Sequence, residues 1–218
     1  MNTKLSLAYL VLIVTLLFSA LHRPVATESE NSALAGVVSS MATEREKYVI
    51  DKKESVVTWK GSKLFPPEAN HTGNVYISKG ELTIEKDRLV GGAVEVDMNT
   101  IADKDHGSEN DLVRHLESPD FFDVKKFPVA TFTITNVAST PGENINVTGN
   151  LTIKGITHAV TFPATVHVKA GIVNAIGELT IDRTKWDVRY NSGKFYDNLA
   201  DQIISDDIEF HMKIVAKK

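Results

Sequence analysis

From Tyr48 onward the chain alternates apolar and polar residues with a period of two. In "INVTGNLTIK", Ile145, Val147, Leu151 and Ile153 share one face, while Asn146, Thr148, Asn150 and Thr152 share the other. "DIEFHMKIV" sets Ile208, Phe210, Met212 and Ile214 against Glu209, His211 and Lys213. "AVEVDM" sets Val94, Val96 and Met98 against Glu95 and Asp97, and "VTFPATVHV" aligns Val160, Phe162, Ala164, Val166 and Val168. The same rule predicts strands over residues 55–60, 74–78, 81–85, 130–137 and 172–182. Turn chemistry separates them at Lys79-Gly80, Asp87-Arg88, Pro141-Gly142, Lys154-Gly155 and Ala170-Gly171. Strands with one apolar face must close or stack to bury it. The pattern therefore predicts an all-β fold, an antiparallel up-and-down barrel of about eight strands. A two-sheet sandwich uses the same strands and stays open.

One stretch breaks the alternation. In "DKDHGSENDLVRHLESPDFF", Ser108 followed by Asp111 resembles a capping box, and Leu112, Val113 and Leu116 form an apolar stripe. A short helix is expected over residues 109–117. Ser118, Pro119 and Asp120 then start a second helical turn. On a strand, Phe121 and Phe122 would face opposite sides. On a turn, successive residues lie about 100° apart and both rings can lean into one apolar space. The segment is expected to cap one mouth of the barrel, with Asp120 and Asp123 at its rim.

The N-terminus has a different character. Lys4 precedes an almost unbroken apolar run from Leu5 to Leu21, which reads as an export signal. At ~1.5 Å per residue the run spans roughly 25 Å, slightly short of a ~30 Å hydrocarbon core, yet retention as a membrane anchor stays open. Residues 1–25 are thus expected to be a signal peptide or anchor helix, 26–47 a Ser/Thr/Ala/Glu-rich linker, and 48–218 the barrel. The location expected for the barrel is the periplasm or another extracytoplasmic space.

Composition excludes several chemistries. The sequence holds no cysteine, so a disulfide framework and thiolate metal sites are ruled out. Lys4, Arg23, Arg45 and Lys47 balance Glu28, Glu30, Glu44 and Glu46, so the whole net charge of -4 falls on residues 48–218. An acidic domain without a basic run is a poor partner for nucleic acid. The "DKDHGSEND" stretch is not a calcium loop, because Gly107 falls one place early and Arg114 stands where the bidentate glutamate belongs. The histidines form neither HxH nor HExxH, so no metal and no cofactor is expected. His167 and His211 read as solvated. His115 reads as a helix-surface residue, with a catalytic base as the sharper alternative. The long segment 182–203, carrying Trp186, Tyr190, Phe195 and Tyr196, reads either as a packed satellite core or as an aromatic-lined entrance.

Together these stretches resemble a known family. "TWKGSK" (58–63), "GGAVEVDMNTI" (91–101), "HLESPDFFDVKKFPVATF" (115–132), "GNLTIKGITHAVTFP" (149–163) and "IDRTKWDVRYNSG" (181–193) are similar to the YceI-like, polyisoprenoid-binding family of exported bacterial proteins. Trp186-Asp187 departs from the aromatic-Gly pair commoner there. The resemblance implies an extended antiparallel eight-stranded lipocalin-like barrel, with a short helical cap insertion, holding a long isoprenoid chain. It implies an apolar tube and mouth built from Trp59, Val94, Val96, Met98, Leu112, Leu116, Phe121, Phe122, Phe132, Val147, Leu151, Ile153, Trp186, Tyr190, Phe195 and Phe210. Arg114, His115, Arg183, Arg189 and Asn191 are the head-group candidates, assigned by placement. The expected function is non-enzymatic carriage or sequestration of an isoprenoid lipid. Two alternatives stay open: an enzyme or stress factor acting on such a lipid, with His115 and Asp105 as its acid/base pair, and a structural barrel with a filled interior. Association as a homodimer, or with a membrane through the N-terminal segment, is also left open.

Overall fold

The computed structural model describes residues 44–64, 69–105, 107–140 and 144–218. The segment expected to direct export, most of the expected linker and the Pro141-Gly142 turn lie outside the described residues. Nine strands follow one another: β1 (Glu46–Ile50), β2 (Val56–Lys63), β3 (Ala69–Glu85), β4 (Arg88–Asp103), β5 (Val129–Ser139), β6 (Asn144–Ile153), β7 (Ile156–Lys169), β8 (Ile172–Asp182) and β9 (Asp207–Lys217). Among the described residues one α-helix, α1 (Asp111–Glu117), lies between β4 and β5.

Each strand from β2 to β9 pairs antiparallel with its sequence neighbour, and β9 returns to β2. The sheet is therefore a closed eight-stranded barrel with no free edge. The ninth strand adds no ninth stave. Both β1 and β2 lie between β3 and β9: Glu46 pairs with Ile84 and Ile50 with Ala216, while Val57 pairs with Val75 and Met212. They form one stave interrupted at residues 51–55. Ser55 repairs the interruption, its hydroxyl donating to the Val215 carbonyl and accepting from the Val215 N–H. The same turn covers Val215 from outside, so both Val215 and its inward-facing neighbour Ala216 are buried.

Three of the hairpins close through two residues at positive φ, the mirror-image turn that matches strand twist. They are Lys86-Asp87 (50° and 57°), Lys154-Gly155 (50° and 73°) and Ala170-Gly171 (52° and 77°). The first lies one residue before the expected Asp87-Arg88. The turn expected at Lys79-Gly80 does not exist, because β3 runs through it with a bulge beside Lys79. Gly80 serves close packing instead: a Cβ there would come 2.7 Å from Ile50 and 2.9 Å from the Ala93 carbonyl. Helix α1 also starts later than the pattern suggested. Asn110, not Ser108, is its cap and accepts from the Val113 N–H, since the side chain two residues closer reaches the open N–H groups.

Buried residues cluster at both ends of the barrel. Tyr48, Ile50, Leu82, Ile84, Leu89, Val173 and Ala216 pack around the end carrying β1 and the β7–β8 turn. Ile101, Val113, Leu116, Phe121, Val124 and Ile181 pack around the end carrying α1. Between them, inward-facing Val94, Phe132, Leu151, Phe210 and Met212 are only partly buried. An inward residue that still has accessible surface borders open space. The barrel has a lumen.

Candidate functional site: a capped apolar lumen

The lumen has a volume of about 350 Å³. Period-two alternation supplies its wall. From β2 come Val57 and Trp59, from β4 Val94, Val96 and Met98, and from β6 Val147, Leu151 and Ile153. Phe132 of β5, Phe162 of β7, Leu179 of β8 and Phe210 of β9 complete the ring. Phe132 and Phe162 meet with centroids 5.6 Å apart. Small residues make room beside the rings: a Cβ on Gly149 would strike Phe132, and one on Gly177 would strike Phe162.

The cap is built as a turn. The Ser118 carbonyl accepts from the Phe121 N–H at 3.1 Å and the Asp123 N–H at 2.9 Å, while the Leu116 carbonyl accepts from Phe122 at 3.0 Å. Asp123 has a φ of 47°, a left-handed position that Asp tolerates better than most residues. Phe121 and Phe122 consequently both line the lumen, together with Leu112 and Leu116 of α1. Phe121 is 6% exposed.

Several aromatic and charged candidates lie elsewhere. Trp186 is 2% exposed, but its indole N–H donates to the Leu151 carbonyl and its ring stands edge-on to His158. It buttresses the wall and does not line the lumen. Tyr190 packs behind the cap, 4.6 Å from the His115 ring and 5.5 Å from Phe121. Phe195 is exposed beneath the Arg189 guanidinium, which also pairs with Asp187. Arg114 pairs with Asp111 on the outer face of α1. Asn191 offers its carbonyl to the Ile204 N–H. The His115 ring stands 3.3 Å from Asp120 and not beside Asp105. For Trp186, Arg189, Tyr190, Asn191 and Phe195 the physical reason is shared: they belong to the segment after β8, whose short 3-10 turn over Arg183–Trp186 fixes which residues turn inward.

Of the five head-group candidates only Arg183 borders the lumen. It is 1% exposed. Its guanidinium donates to the carbonyls of Ser205, Val188 and Ile204, with Asp206 3.6 Å away. Burial draws its pKa down, with Asp206 and then Asp182 opposing, and an arginine remains charged regardless. Two basic residues that sequence reasoning missed also line the lumen, Lys63 and His71. The signal was available in the alternation: Lys63 continues the inward series Val57, Trp59, Gly61, and His71 opposes Gly61 across the hairpin.

Comparison with known proteins agrees with this architecture. The YceI-like domain matches residues 48–216. A UPF0312 protein of Pseudomonas putida (strain W619) is 36% identical over 136 residues, covering 62% of this chain and 67% of that one. Protein YceI of Salmonella arizonae is 39% identical over 85 residues, covering 39% of this chain and 43% of that one. Among solved structures, Burkholderia cenocepacia BcnA superposes with a TM-score of 0.61 at 24% identity, covering 77% of this chain and 99% of its own. A polyisoprenoid binding domain from Saccharophagus degradans superposes at 0.55 with 14% identity, covering 78% and 97%. The closed barrel, its helical insertion and the match along nearly the whole described domain place this chain in the YceI-like family.

Proposed function

We propose that the protein binds a single isoprenoid-type chain lipid inside its barrel and carries or sequesters it in an extracytoplasmic compartment. The observation that carries the reading is the lumen itself: about 350 Å³ of space with an apolar wall built chiefly from Val, Ile, Leu, Met and Phe. Ligand cavities typically run ~300–1,000 Å³, and a slender chain suits the bore of an eight-stranded barrel. Each CH₂ moved from water to such a wall gains about 0.8 kcal/mol, so a chain of tens of carbons is held without polar chemistry. The polyisoprenoid binding domain of Saccharophagus degradans has the same fold and supports this choice of ligand. The apolar run at residues 5–21 supports export.

Binding without turnover fits the lining better than catalysis does. No carboxylate borders the lumen among the described residues, and His115 faces Asp120 at the surface. Native mass spectrometry of the gently purified full-length protein tests the reading. The expected result is a co-purified or added polyprenyl lipid, bound one to one and recovered chemically unchanged. A protein that takes up no such lipid, or returns it altered, overturns it.

A further inference from the structure

Closure gives every stave two neighbours, yet two seams are zipped over only part of their length. Strands β4 and β5 pair only from Ala93 opposite Thr133 to Asp97 opposite Val129. Before Ala93, β4 continues on β3 alone, and beyond Thr133, β5 continues on β6 alone. Residues 88–92 and 134–139 therefore face each other with no ladder between them. A bulge stands on each strand where the pairing stops. In β4 the register against β3 slips between Leu89 and Gly91, leaving Val90 as the extra residue. In β5 the register against β6 slips between Ile134 and Asn136, leaving Thr135, whose hydroxyl donates to the Thr148 carbonyl at 3.2 Å. A bulge bends its strand and sharpens its twist. Two at one seam account for the parting of β4 from β5.

The parted seam reaches the lumen. Leu89 and Ile134, one from each unpaired stretch, both line it. Outside, the lip is low and partly apolar: Val90 is 38% exposed, and a Cβ on Gly91 would touch only Thr83, at 3.8 Å on the β3 side. The other partial seam is filled. Strands β7 and β8 pair only from Ala164 opposite Gly177 to Lys169 opposite Ile172. Beside their unpaired stretches the turn over Arg183–Trp186 is bonded in, His158 meeting the Lys185 carbonyl at 2.9 Å and the Trp186 N–H meeting the Leu151 carbonyl. The two ends offer no comparable route. One carries α1 with Phe121 and Phe122, and the other the buried cluster around Tyr48, Ile50 and Ile84.

We propose that the parting of β4 from β5 is a lateral portal, through which an apolar chain enters and leaves the lumen by way of the barrel wall. The proposal rests on the chain-lipid reading above. Strands in a ladder lie about 4.8 Å apart, which leaves no passage for a hydrocarbon chain between them. Where the ladder has ended, passage breaks no interstrand hydrogen bond. It displaces only Leu89 and Ile134, whose apolar side chains offer the chain a surface as it crosses.

The sequence holds no cysteine, so thiols can be placed at chosen points. Val90 and Asn136 would face each other if the β4–β5 ladder continued, and Thr161 and Thr180 if the β7–β8 ladder did. Val90→Cys with Asn136→Cys in the full chain, joined by a short bis-maleimide and verified by mass, ties the portal shut. The probe is a fluorescent polyprenyl analogue. Linked protein should load and release it at least about tenfold more slowly than the same variant unlinked, with Kd unchanged, because a portal acts on both rates alike. Thr161→Cys with Thr180→Cys, linked in the same way, should leave both rates as they were. Gly91→Phe, which narrows the lip without a link, should slow both. Exchange at the unmodified rate in the linked β4–β5 variant or in Gly91→Phe overturns the portal, as does equal slowing by the link across β7–β8. An analogue that fails to bind the unmodified protein overturns the chain-lipid reading instead, and the portal with it.

Discussion

Leu151 and Thr152 are neighbours in sequence and stand on opposite sides of the barrel wall. Leu151 lines the lumen, whereas the Thr152 hydroxyl meets that of Thr157 at 2.8 Å outside. Leu151→Asp places a carboxylate against Phe132, its cross-strand partner, on the apolar wall of the lumen. The expected cost is on the order of 3 kcal/mol or more, because an unpaired charge loses its hydration. Thr152→Asp should cost under about 1 kcal/mol, as solvent-facing changes usually do. Urea unfolding of the two variants measures the contrast, and equal losses would contradict the register of β6. This contrast was legible in the alternation. The role of Trp186 was not: an aromatic in a long loop reads equally as satellite core or as entrance until the fold shows its N–H tied to Leu151.

The segment from Ser118 to Val124 is the smallest element with a distinct task. Its turn bonds direct two adjacent rings into one space. Truncating Phe121 to Ala should lower stability by about 3 kcal/mol, the usual scale for a buried ring, and Phe122→Ala by less, since that ring is only partly buried. If the rings shield a bound chain, the double variant should also release a fluorescent polyprenyl analogue faster than a Tyr196→Ala control, whose ring is exposed. Unchanged release would separate the cap from ligand retention. The sequence signal here was spacing: Ser-Pro-Asp starts a turn, and only turn geometry lets neighbours share a face. The start of α1 was less legible, because Ser108 and Asn110 can both cap and only the backbone path selects Asn110.

At the scale of the whole molecule, closure joins the two ends of the domain. Strand β9 pairs with β1 and β2, and Lys217 reaches Asp51 and Glu54, each at 2.6 Å. These contacts raise the pKa of Lys217 from 10.5 to about 12, Asp51 contributing most and Glu54 next. Asp51 is lowered in return, first by Lys217 and then by the Lys53 N–H. A raised ammonium contributes stability that is complete below its ordinary pKa and is lost as pH climbs through the folded value. A lowered carboxylate contributes stability present above its ordinary pKa and lost as pH falls through the folded value. The melting-temperature gap between the protein and Lys217→Gln should therefore stay level from about pH 5 to about pH 9. It should close toward either extreme, and a gap unaffected by pH would show that the clasp does not act through charge.

What the sequence by itself determined is the content of each strand face and the chemistry of the turns, because side-chain period and backbone preference are local properties. Val94, Phe132, Leu151 and Phe210 could be assigned inward without knowing their neighbours. Tertiary structure alone decided that β1 and β2 share one stave, that Lys79-Gly80 lies inside a strand, and that the lumen stays open. It also decided which head-group candidates border that lumen: of the five placed by sequence only Arg183 does, with Lys63 and His71 beside it in the lining. Each of these depends on which distant backbone lies alongside. A period of two says which way a side chain points, and only closure of the barrel says what it points at.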